Sequence, residues 1–313
     1  MKFAVVGAGA IGAYVGAALA RGGSEVTLIA RGAHLEAMQE HGVRVISPRG
    51  DFQAHPETTD DIDSVADADV VFVGLKAYSL PELASRLGEA MGPDSAVIPA
   101  QNGIPWWYFQ SHPGPLAGTV LESVDPGGRI AGAIEPRRII GCVVYSSTEI
   151  VEPGVIRHVE GTRFAIGEPE GTRSERCELV SQAFAAGGLK CPIEERIRDH
   201  IWLKLIGNVA FNPVTALTGS TLGELGALPE MVELLRAIFQ ECSAVAAALE
   251  VELPVSLERR LEAGKPLELD CMSGAVIELA EKLSIEVPHM RAVHACAKLL
   301  DQLTRSRLQR SAV

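Results

Sequence analysis

Three polar side chains recur at a fixed interval in the otherwise apolar segment RDHIWLKLIGNVAFNPVTALTG. Lys204, Asn208 and Asn212 are four residues apart, which places one amine and two amides on the same face of a helix. A positioned ammonium can stabilise negative charge on an oxygen and give that oxygen a proton, and neutral amides can orient it without cancelling its charge. An exposed helix stripe usually carries Glu, Arg and Lys, so the pattern favours a site.

A second polar pair lies in the segment VSLERRLEAGKPLELDCMSG. Ser256 stands where a helix could begin, and an N-cap explains it as well as a ligand does. Glu268 falls in the first turn of the next expected helix, where the helix dipole favours a carboxylate. The residues alone leave both explanations open for Ser256, and for Glu268 they indicate a structural role.

The chain opens MKFAVVGAGAIGAYVGAALARGG, with no charge between Lys2 and Arg21. A signal peptide or a membrane helix could look similar, but neither requires the spacing G-x-G-x-x-G of Gly7, Gly9 and Gly12. A strand, a tight turn and a helix require it, because the glycines permit the turn, the approach of a pyrophosphate and close helix packing.

The elements around these glycines complete the pattern. KFAVV is an expected strand, a helix is expected from about Ala10 to Arg21, and EVTLIA is the next strand. The free backbone N–H groups at Ala10, Ile11 and Gly12 would then point at the phosphates. We interpret the opening segment as the first β-α-β step of a Rossmann dinucleotide-binding domain.

The end of the second strand indicates which dinucleotide is bound. NAD sites usually carry Asp or Glu there, whereas this strand is followed by Arg31. A guanidinium can bind a 2′-phosphate as a fork, so the sequence predicts NADP(H). A solvated surface arginine is the alternative.

Further along, two apolar runs of strand length end in polar residues. The run 69–75 is followed by Lys76, and the run 95–99 is followed by Gln101, Asn102 and Gly103. Ligands bind at the carboxyl ends of such parallel strands, which makes Lys76 and Asn102 candidates. A simple turn explains Asn102 and Gly103 equally well.

Strand patterns with hairpin turns continue from 138 to about 194 and are expected to add to the parallel sheet. The remainder has helical length and period, with a break expected directly after Asn212 because Pro213 cannot donate to the helix. We therefore predict a domain at 1–194 and an all-α domain at 195–313. The expected helices of the second domain are 195–212, 229–250, 257–264, 269–284 and 289–307.

Composition narrows the class of protein. The 313 residues carry a net charge of −12, which argues against nucleic-acid or anionic-membrane partners. The six cysteines form no CxxC pair and the eight histidines no HxxxH, so no metal site is expected. Scattered cysteines suit the reducing cytoplasm. A homodimer is compatible with the broad apolar faces of the helical half, although burial in a core explains those faces equally well.

Taken together, these motifs resemble the ketopantoate reductase (2-dehydropantoate 2-reductase) family over nearly the whole chain. The resemblance implies NADPH-dependent reduction of a 2-keto acid, ketopantoate in pantothenate biosynthesis, at a cleft between a Rossmann domain and a helical domain similar to the C-terminal domain of 6-phosphogluconate dehydrogenase. It makes Lys204 the general acid and Glu268 the anchor of the substrate hydroxyl. The side chains that hold cofactor amide and substrate are then Asn102, Asn208, Asn212 and Ser256.

The segment around Ser256 departs from the family pattern, since Val255 replaces a serine and Arg259 and Arg260 stand where Gln and Asp are common. A different 2-keto acid is therefore an open alternative, as is an opine-forming or β-hydroxyacid dehydrogenase. A non-catalytic NADPH sensor is the alternative from another class, but a sensor need not keep a general acid such as Lys204.

Overall fold

The computed structural model describes residues 1–251, 253 and 270–311. The chain forms two compact units. The first consists of residues 1–101 and 105–197, and the second of residues 102–104 together with the described residues from 198 onward. The tripeptide Asn102–Ile104 thus belongs to the second unit, although its neighbours in sequence belong to the first.

The first unit is an α/β structure built around a parallel sheet. Five strands pair in the order β5-β2-β1-β6-β7, all in parallel. The elements are, in chain order, β1 (Lys2–Val6), α1 (Ala10–Arg21), β2 (Glu25–Ile29), α2 (Gly32–His41), β3 (Val43–Ile46), β4 (Phe52–Ala54), β5 (Glu57–Thr59), β6 (Val70–Val73), α3 (Leu80–Ala90), β7 (Ala96–Pro99), α4 (Arg129–Ala133), β8 (Gly141–Val144), β9 (Ser147–Glu152), β10 (Val155–Glu160), β11 (Phe164–Gly167) and α5 (Glu175–Ala186).

The centre of this sheet follows directly from the sequence. All residues of β6 and β7 are buried, and so are all residues of β1 after Lys2. Continuous apolar runs suit parallel strands that are covered on both faces. The opening strand and the helix Ala10–Arg21 are confirmed, as are the strands predicted within 69–75 and 95–99.

The remaining strands form two smaller sheets, in which most pairs are antiparallel. Strands β9 and β10 form a hairpin, and β10 pairs in parallel with β3 in a sheet of order β4-β3-β10-β9. Strands β8 and β11 pair with each other. A single bridge between Val97 and Ile139 connects the start of this last pair to the edge of the parallel sheet.

One buried ion pair fastens the end of β11 to α5. Glu168, whose side chain is 3% exposed, accepts hydrogen bonds from Arg176 Nε at 2.7 Å and Nη2 at 2.5 Å, and from Ser174 Oγ. Arg176 also donates to the carbonyl oxygens of Arg137 and Ile139. Burial alone would raise the pKa of Glu168, but the bonds from Arg176 and Ser174 outweigh it and lower that pKa.

The aromatic run that follows Asn102–Ile104 is part of the core of the first unit. Trp106, Trp107 and Tyr108 are all buried, with Trp107 fully enclosed. A Cβ atom on Gly141 would lie 2.7 Å from the Trp107 ring, so the ring packs directly on the backbone of β8. Packing in the core of the first unit accounts for the three aromatic side chains.

In the described part of the second unit, all of the regular secondary structure is helical. Four of the five expected helical segments have counterparts there, and the fifth, 257–264, lies outside the described residues. A short π-helical turn, Asp270–Gly274, directly precedes α9. The helices are α6 (Ile197–Thr218), α7 (Leu222–Ala227), α8 (Pro229–Ala248), α9 (Ala275–Lys282) and α10 (Pro288–Ser311).

The break predicted after Asn212 is wrong, because α6 continues through Pro213 to Thr218. Proline in a helix costs about 3 kcal/mol through a lost hydrogen bond and a ring clash. Here the residues on either side of Pro213 are buried, and the Thr215 hydroxyl donates to the carbonyls of Phe211 and Asn212, both at 3.0 Å. Packing and side-chain hydrogen bonds thus hold the helix across the proline.

Candidate functional site

The glycine loop between β1 and α1 has little room for side chains at two of its positions. Gly7 has φ of +89°, and a Cβ there would lie 2.7 Å from Leu75. A Cβ on Gly12 would lie 2.3 Å from the Gly7 carbonyl oxygen. Glycine is therefore required at both positions for the turn and for close packing of helix on strand.

Gly9 is different, because no atom lies within 4 Å of the place its Cβ would occupy. The space beside this backbone is open, so a phosphate could approach it closely. Gly9 is also the N-cap of α1, where no side chain caps the helix and no acidic residue stands in the first turn. The first N–H groups of the helix, including those of Ala10 and Ile11, have no intrahelical acceptor. These groups are donors that an anion such as a phosphate could accept hydrogen bonds from.

Two cations follow the strands on either side of β1, at the carboxyl ends of those strands. Arg31 is exposed after β2 and occupies the N-cap position of α2, whose first turn also lacks an acidic residue. Lys76 is exposed after β6. Residues that follow β1, β2 and β6 share one edge of the parallel sheet, so these cations and the glycine loop belong to one basic edge.

His34, in the first turn of α2, helps to fix α2 beside this edge and adds no positive charge to it. Its Nδ1 accepts a hydrogen bond from the backbone N–H of Gly154 at 3.0 Å, which ties α2 to the β9–β10 turn. Burial lowers the pKa of His34, and a hydrogen bond to the backbone of Ala8 opposes part of that shift. The imidazole is accordingly neutral at neutral pH.

In the second unit, the structure joins two of the residues selected from sequence. The Lys204 ammonium on α6 donates to the side-chain oxygen of Asn102 at 2.5 Å. Lys204 and Asn208 are half-buried, and Asn212 is only 8% exposed, so the polar face of α6 is not a solvent stripe. The Asn212 amide contacts the sulfur of Met272 at 3.9 Å.

The π-helical turn Asp270–Gly274 holds the backbone of Asn102–Ile104, the segment whose first residue accepts the hydrogen bond from Lys204. The Cys271 carbonyl accepts from the N–H of Ile104 at 2.8 Å, and the Cys271 thiol donates to the Asn102 carbonyl at 3.2 Å. Ser273 in the same turn bonds His294 of α10 at 2.8 Å. The turn is thereby fixed to both Asn102 and α10.

Two predicted site residues, Ser256 and Glu268, lie outside the described residues. Sequence reasoning missed Cys271, which stood among six scattered cysteines, although its place three residues after Glu268 was a usable signal. Gln101, which the sequence placed among the polar residues after β7, has a structural role: its amide donates to the carbonyls of Val73 and Leu75 at 3.0 Å and fixes the end of β7.

The described residues offer neither a metal site nor a helix suited to a membrane. No group of three or more His, Cys, Asp or Glu side chains in that part of the chain could hold a metal ion. Among the helices built from those residues, none combines the length and the apolar character needed to cross a membrane.

A Rossmann-type unit with an open glycine loop, followed by a helical unit with a half-buried lysine, defines the class of two-domain, dinucleotide-binding oxidoreductases. Comparison with known families narrows this class. The family model "Ketopantoate reductase PanE/ApbA" matches residues 3–171, and the model of its C-terminal part matches 196–262 and 254–301. The chain belongs to the ketopantoate reductase family.

Individual relatives agree with this assignment. The chain is 41% identical to the 2-dehydropantoate 2-reductase of Mesorhizobium japonicum, over 96% of this chain and 98% of that protein. A crystal structure from Ralstonia solanacearum MolK2, described only provisionally as a ketopantoate reductase, matches with a TM-score of 0.91 and 35% identity, over 96% of this chain and 98% of that one.

A more distant structure shares the fold. D-mandelate dehydrogenase, solved with NADH and anilino(oxo)acetate, matches with a TM-score of 0.79 at 19% identity, over 96% of this chain and 98% of that one. The fold therefore extends to an enzyme with a different name.

Proposed function

We propose that this protein reduces a 2-keto acid to a 2-hydroxy acid with NADPH, with ketopantoate as the first candidate substrate and pantothenate synthesis as the pathway. The observation that carries the proposal is the Lys204 ammonium held by the Asn102 oxygen at 2.5 Å on a half-buried, otherwise neutral helix face. The 41% identical 2-dehydropantoate 2-reductase supports the choice of substrate.

The dinucleotide fits the donors of the first unit. The glycine loop, with Gly7, Gly9 and Gly12, and the amides of Ala10 and Ile11 would hold the pyrophosphate. Arg31 would bind the 2′-phosphate, and Lys76 would add positive charge at the same edge. When bound, the reduced nicotinamide supplies a hydride to the keto carbon of the substrate.

Lys204 would complete the reduction. A keto carbon that gains a hydride leaves the electron pair of its C=O bond on oxygen, so negative charge develops there. The ammonium stabilises that charge and then gives the oxygen a proton, which forms the hydroxyl group and leaves a neutral amine. Solvent protonates the amine before the next turnover. No metal ion is needed for these steps.

The remaining predicted residues would position the substrate. We propose that Asn208, Asn212 and Ser256 bind it and that Glu268 anchors its hydroxyl group, as the resemblance implies. Asn102 would serve both Lys204 and the cofactor amide. These roles can be tested one by one through the substrate KM, because a lost hydrogen bond to a bound substrate typically costs 0.5–1.5 kcal/mol, or about two- to tenfold.

The cofactor assignment predicts the effect of removing one guanidinium. Wild-type protein should bind NADPH at least tenfold more tightly than NADH, and Arg31→Ala should remove most of that difference by weakening NADPH alone. A hydrogen-bonded charge pair is worth about 1.5–3 kcal/mol, or roughly ten- to a hundredfold in affinity. Fluorescence titration with both cofactors measures this.

The matched control for Arg31 is Arg86→Ala, which removes an exposed arginine that pairs with Asp63 at 3.4 Å elsewhere in the same unit. It should leave both affinities unchanged. Equal affinities of the wild type for the two cofactors would overturn the assignment of NADPH.

The glycine loop predicts a contrast between two alanine substitutions. Gly9→Ala should leave the melting temperature unchanged, since nothing lies within 4 Å of the new Cβ, but should weaken NADPH binding about tenfold or more by blocking the phosphate approach. Gly12→Ala should instead destabilise the fold by about 1–3 kcal/mol, because its Cβ would lie 2.3 Å from the Gly7 oxygen. Unchanged cofactor affinity in a stable Gly9→Ala protein would contradict this placement of the pyrophosphate.

The proposed activity itself is tested with NADPH and a panel of 2-keto acids led by ketopantoate. Fast oxidation with ketopantoate confirms it. Preference for another 2-keto acid is the second candidate, favoured by the departure from the family pattern at Val255, Arg259 and Arg260. Turnover only with pyruvate plus an amine, or with β-hydroxyacids, would indicate the other dehydrogenase classes. Tight NADPH binding without turnover would indicate a sensor.

We also propose a cytoplasmic location and a homodimer. None of the six cysteines forms a disulfide in the structure, which suits a reducing compartment, and none of the proposed steps needs one. Light scattering of the purified protein measures its mass against 33.2 kDa for one chain. A mass of one chain at micromolar concentration would exclude the dimer.

A further inference from the structure

Residues 102–104 are held to the π-helical turn by two hydrogen bonds, with a close backbone approach at Gly103 between them. The Asn102 carbonyl accepts the Cys271 thiol, and the Ile104 N–H donates to the Cys271 carbonyl. Between them, a Cβ on Gly103 would lie 2.1 Å from the same carbonyl oxygen, so this approach requires glycine. Gly103 also has φ of +95°, which glycine adopts without strain.

The close approach at Gly103 explains why glycine stands at this position. The hydrogen bond from Cys271 to Asn102 connects the contact to Lys204. The backbone of Asn102 is anchored by Cys271, which is 4% exposed, and the side chain of Asn102 holds the Lys204 ammonium. A displacement of the Asn102 backbone would therefore move the acceptor of Lys204.

We propose that Cys271 is a positioning residue for Lys204, which it orients through Asn102. The proposal rests on the function proposed above for Lys204. It assigns the thiol a role as a hydrogen-bond donor to a backbone carbonyl, with no covalent or redox step. Misplacement of a reacting group by about 1 Å can cost up to a hundredfold in rate, so a weak bond at this place can have a measurable effect on turnover.

The test compares Cys271→Ala, Cys271→Ser and the matched control Cys242→Ala, which removes a fully buried thiol from α8 in the same unit. We expect Cys271→Ala to lower kcat about tenfold with KM and NADPH affinity within twofold, for the 2-keto acid of the panel that turns over fastest. Cys271→Ser keeps a donor and should recover kcat to within threefold of the wild type. Cys242→Ala should lose stability without losing kcat.

A double-mutant cycle separates this role from a general loss of packing. If Cys271 acts through Asn102, Cys271→Ala should change kcat less than twofold once Asn102→Ala is present. A crystal structure of Cys271→Ala should show the Lys204–Asn102 side-chain contact lengthened beyond 3.5 Å. Unchanged kcat in Cys271→Ala, or additive effects in the cycle, would overturn the proposal.

The same set of variants separates this inference from the function on which it rests. If Lys204→Ala is impaired but Cys271→Ala is not, only the positioning role fails. If Lys204→Ala turns over normally, the proposed acid and its positioning residue both fail.

Discussion

Lys204→Ala should lower kcat by about 10²- to 10⁴-fold while NADPH binds with nearly unchanged affinity. This range is the usual contribution of a positioned general acid. The ammonium lies on α6, whereas the donors proposed for the pyrophosphate and the 2′-phosphate belong to the first unit, so its removal should affect turnover much more than cofactor binding. Steady-state rates and a fluorescence titration of NADPH measure the two effects separately.

Lys298→Ala is the matched control for this experiment, because Lys298 is an exposed lysine on α10 of the same unit. It should retain wild-type kcat and KM. Lys204→Arg is informative as well, since a guanidinium keeps the charge but does not release a proton readily. Wild-type turnover in Lys204→Ala would move the general acid to another residue.

Glu168→Ala should destabilise the first unit by about 3–5 kcal/mol, because it leaves the half-buried Arg176 guanidinium without its carboxylate. Urea unfolding at pH 7 measures this change as a lower midpoint. The exposed pair of Glu149 and Arg157, with its two side chains each 52% exposed, is the control. Glu149→Ala should cost less than about 1 kcal/mol.

The same ion pair predicts the response of the wild type to acid. The pKa of Glu168 is lower in the folded protein than its ordinary value of 4.5, so the folded state favours the charged form. Its stabilisation is complete above about pH 4.5 and is lost as the pH falls through the lowered pKa. Glu168→Ala should therefore lose less stability than the wild type over that acid range. Parallel acid denaturation curves for the two proteins would count against the ion pair as the cause.

The parts of the fold that depend on local sequence were predictable. The strand, turn and helix around Gly7 and Gly12 are encoded within a short segment, and the steric contacts of those glycines are the ones that the motif implies. The partners of the later strands were not predictable, because the pairing of β10 with β3 joins residues more than a hundred positions apart. No periodicity in one segment specifies such a partner.

In the helical half, too, local sequence patterns did not predict the features that depend on distant residues or on packing. The proline rule predicted a break after Asn212, but buried neighbours and the Thr215 hydroxyl outweigh the local cost. The spacing of Lys204, Asn208 and Asn212 correctly indicated a face that differs from a surface stripe. It could not indicate that Asn102, a hundred residues earlier, accepts the lysine's hydrogen bond.

The membership of Asn102–Ile104 in the helical unit means that this unit is not encoded by one continuous stretch of the chain. A gene fragment that begins at residue 198 would carry the lysine and the cysteine but neither the amide nor the glycine that they contact. The helical half therefore cannot be transferred intact as a cassette to another nucleotide-binding domain. A functional chimaera would also have to inherit the tripeptide that follows β7.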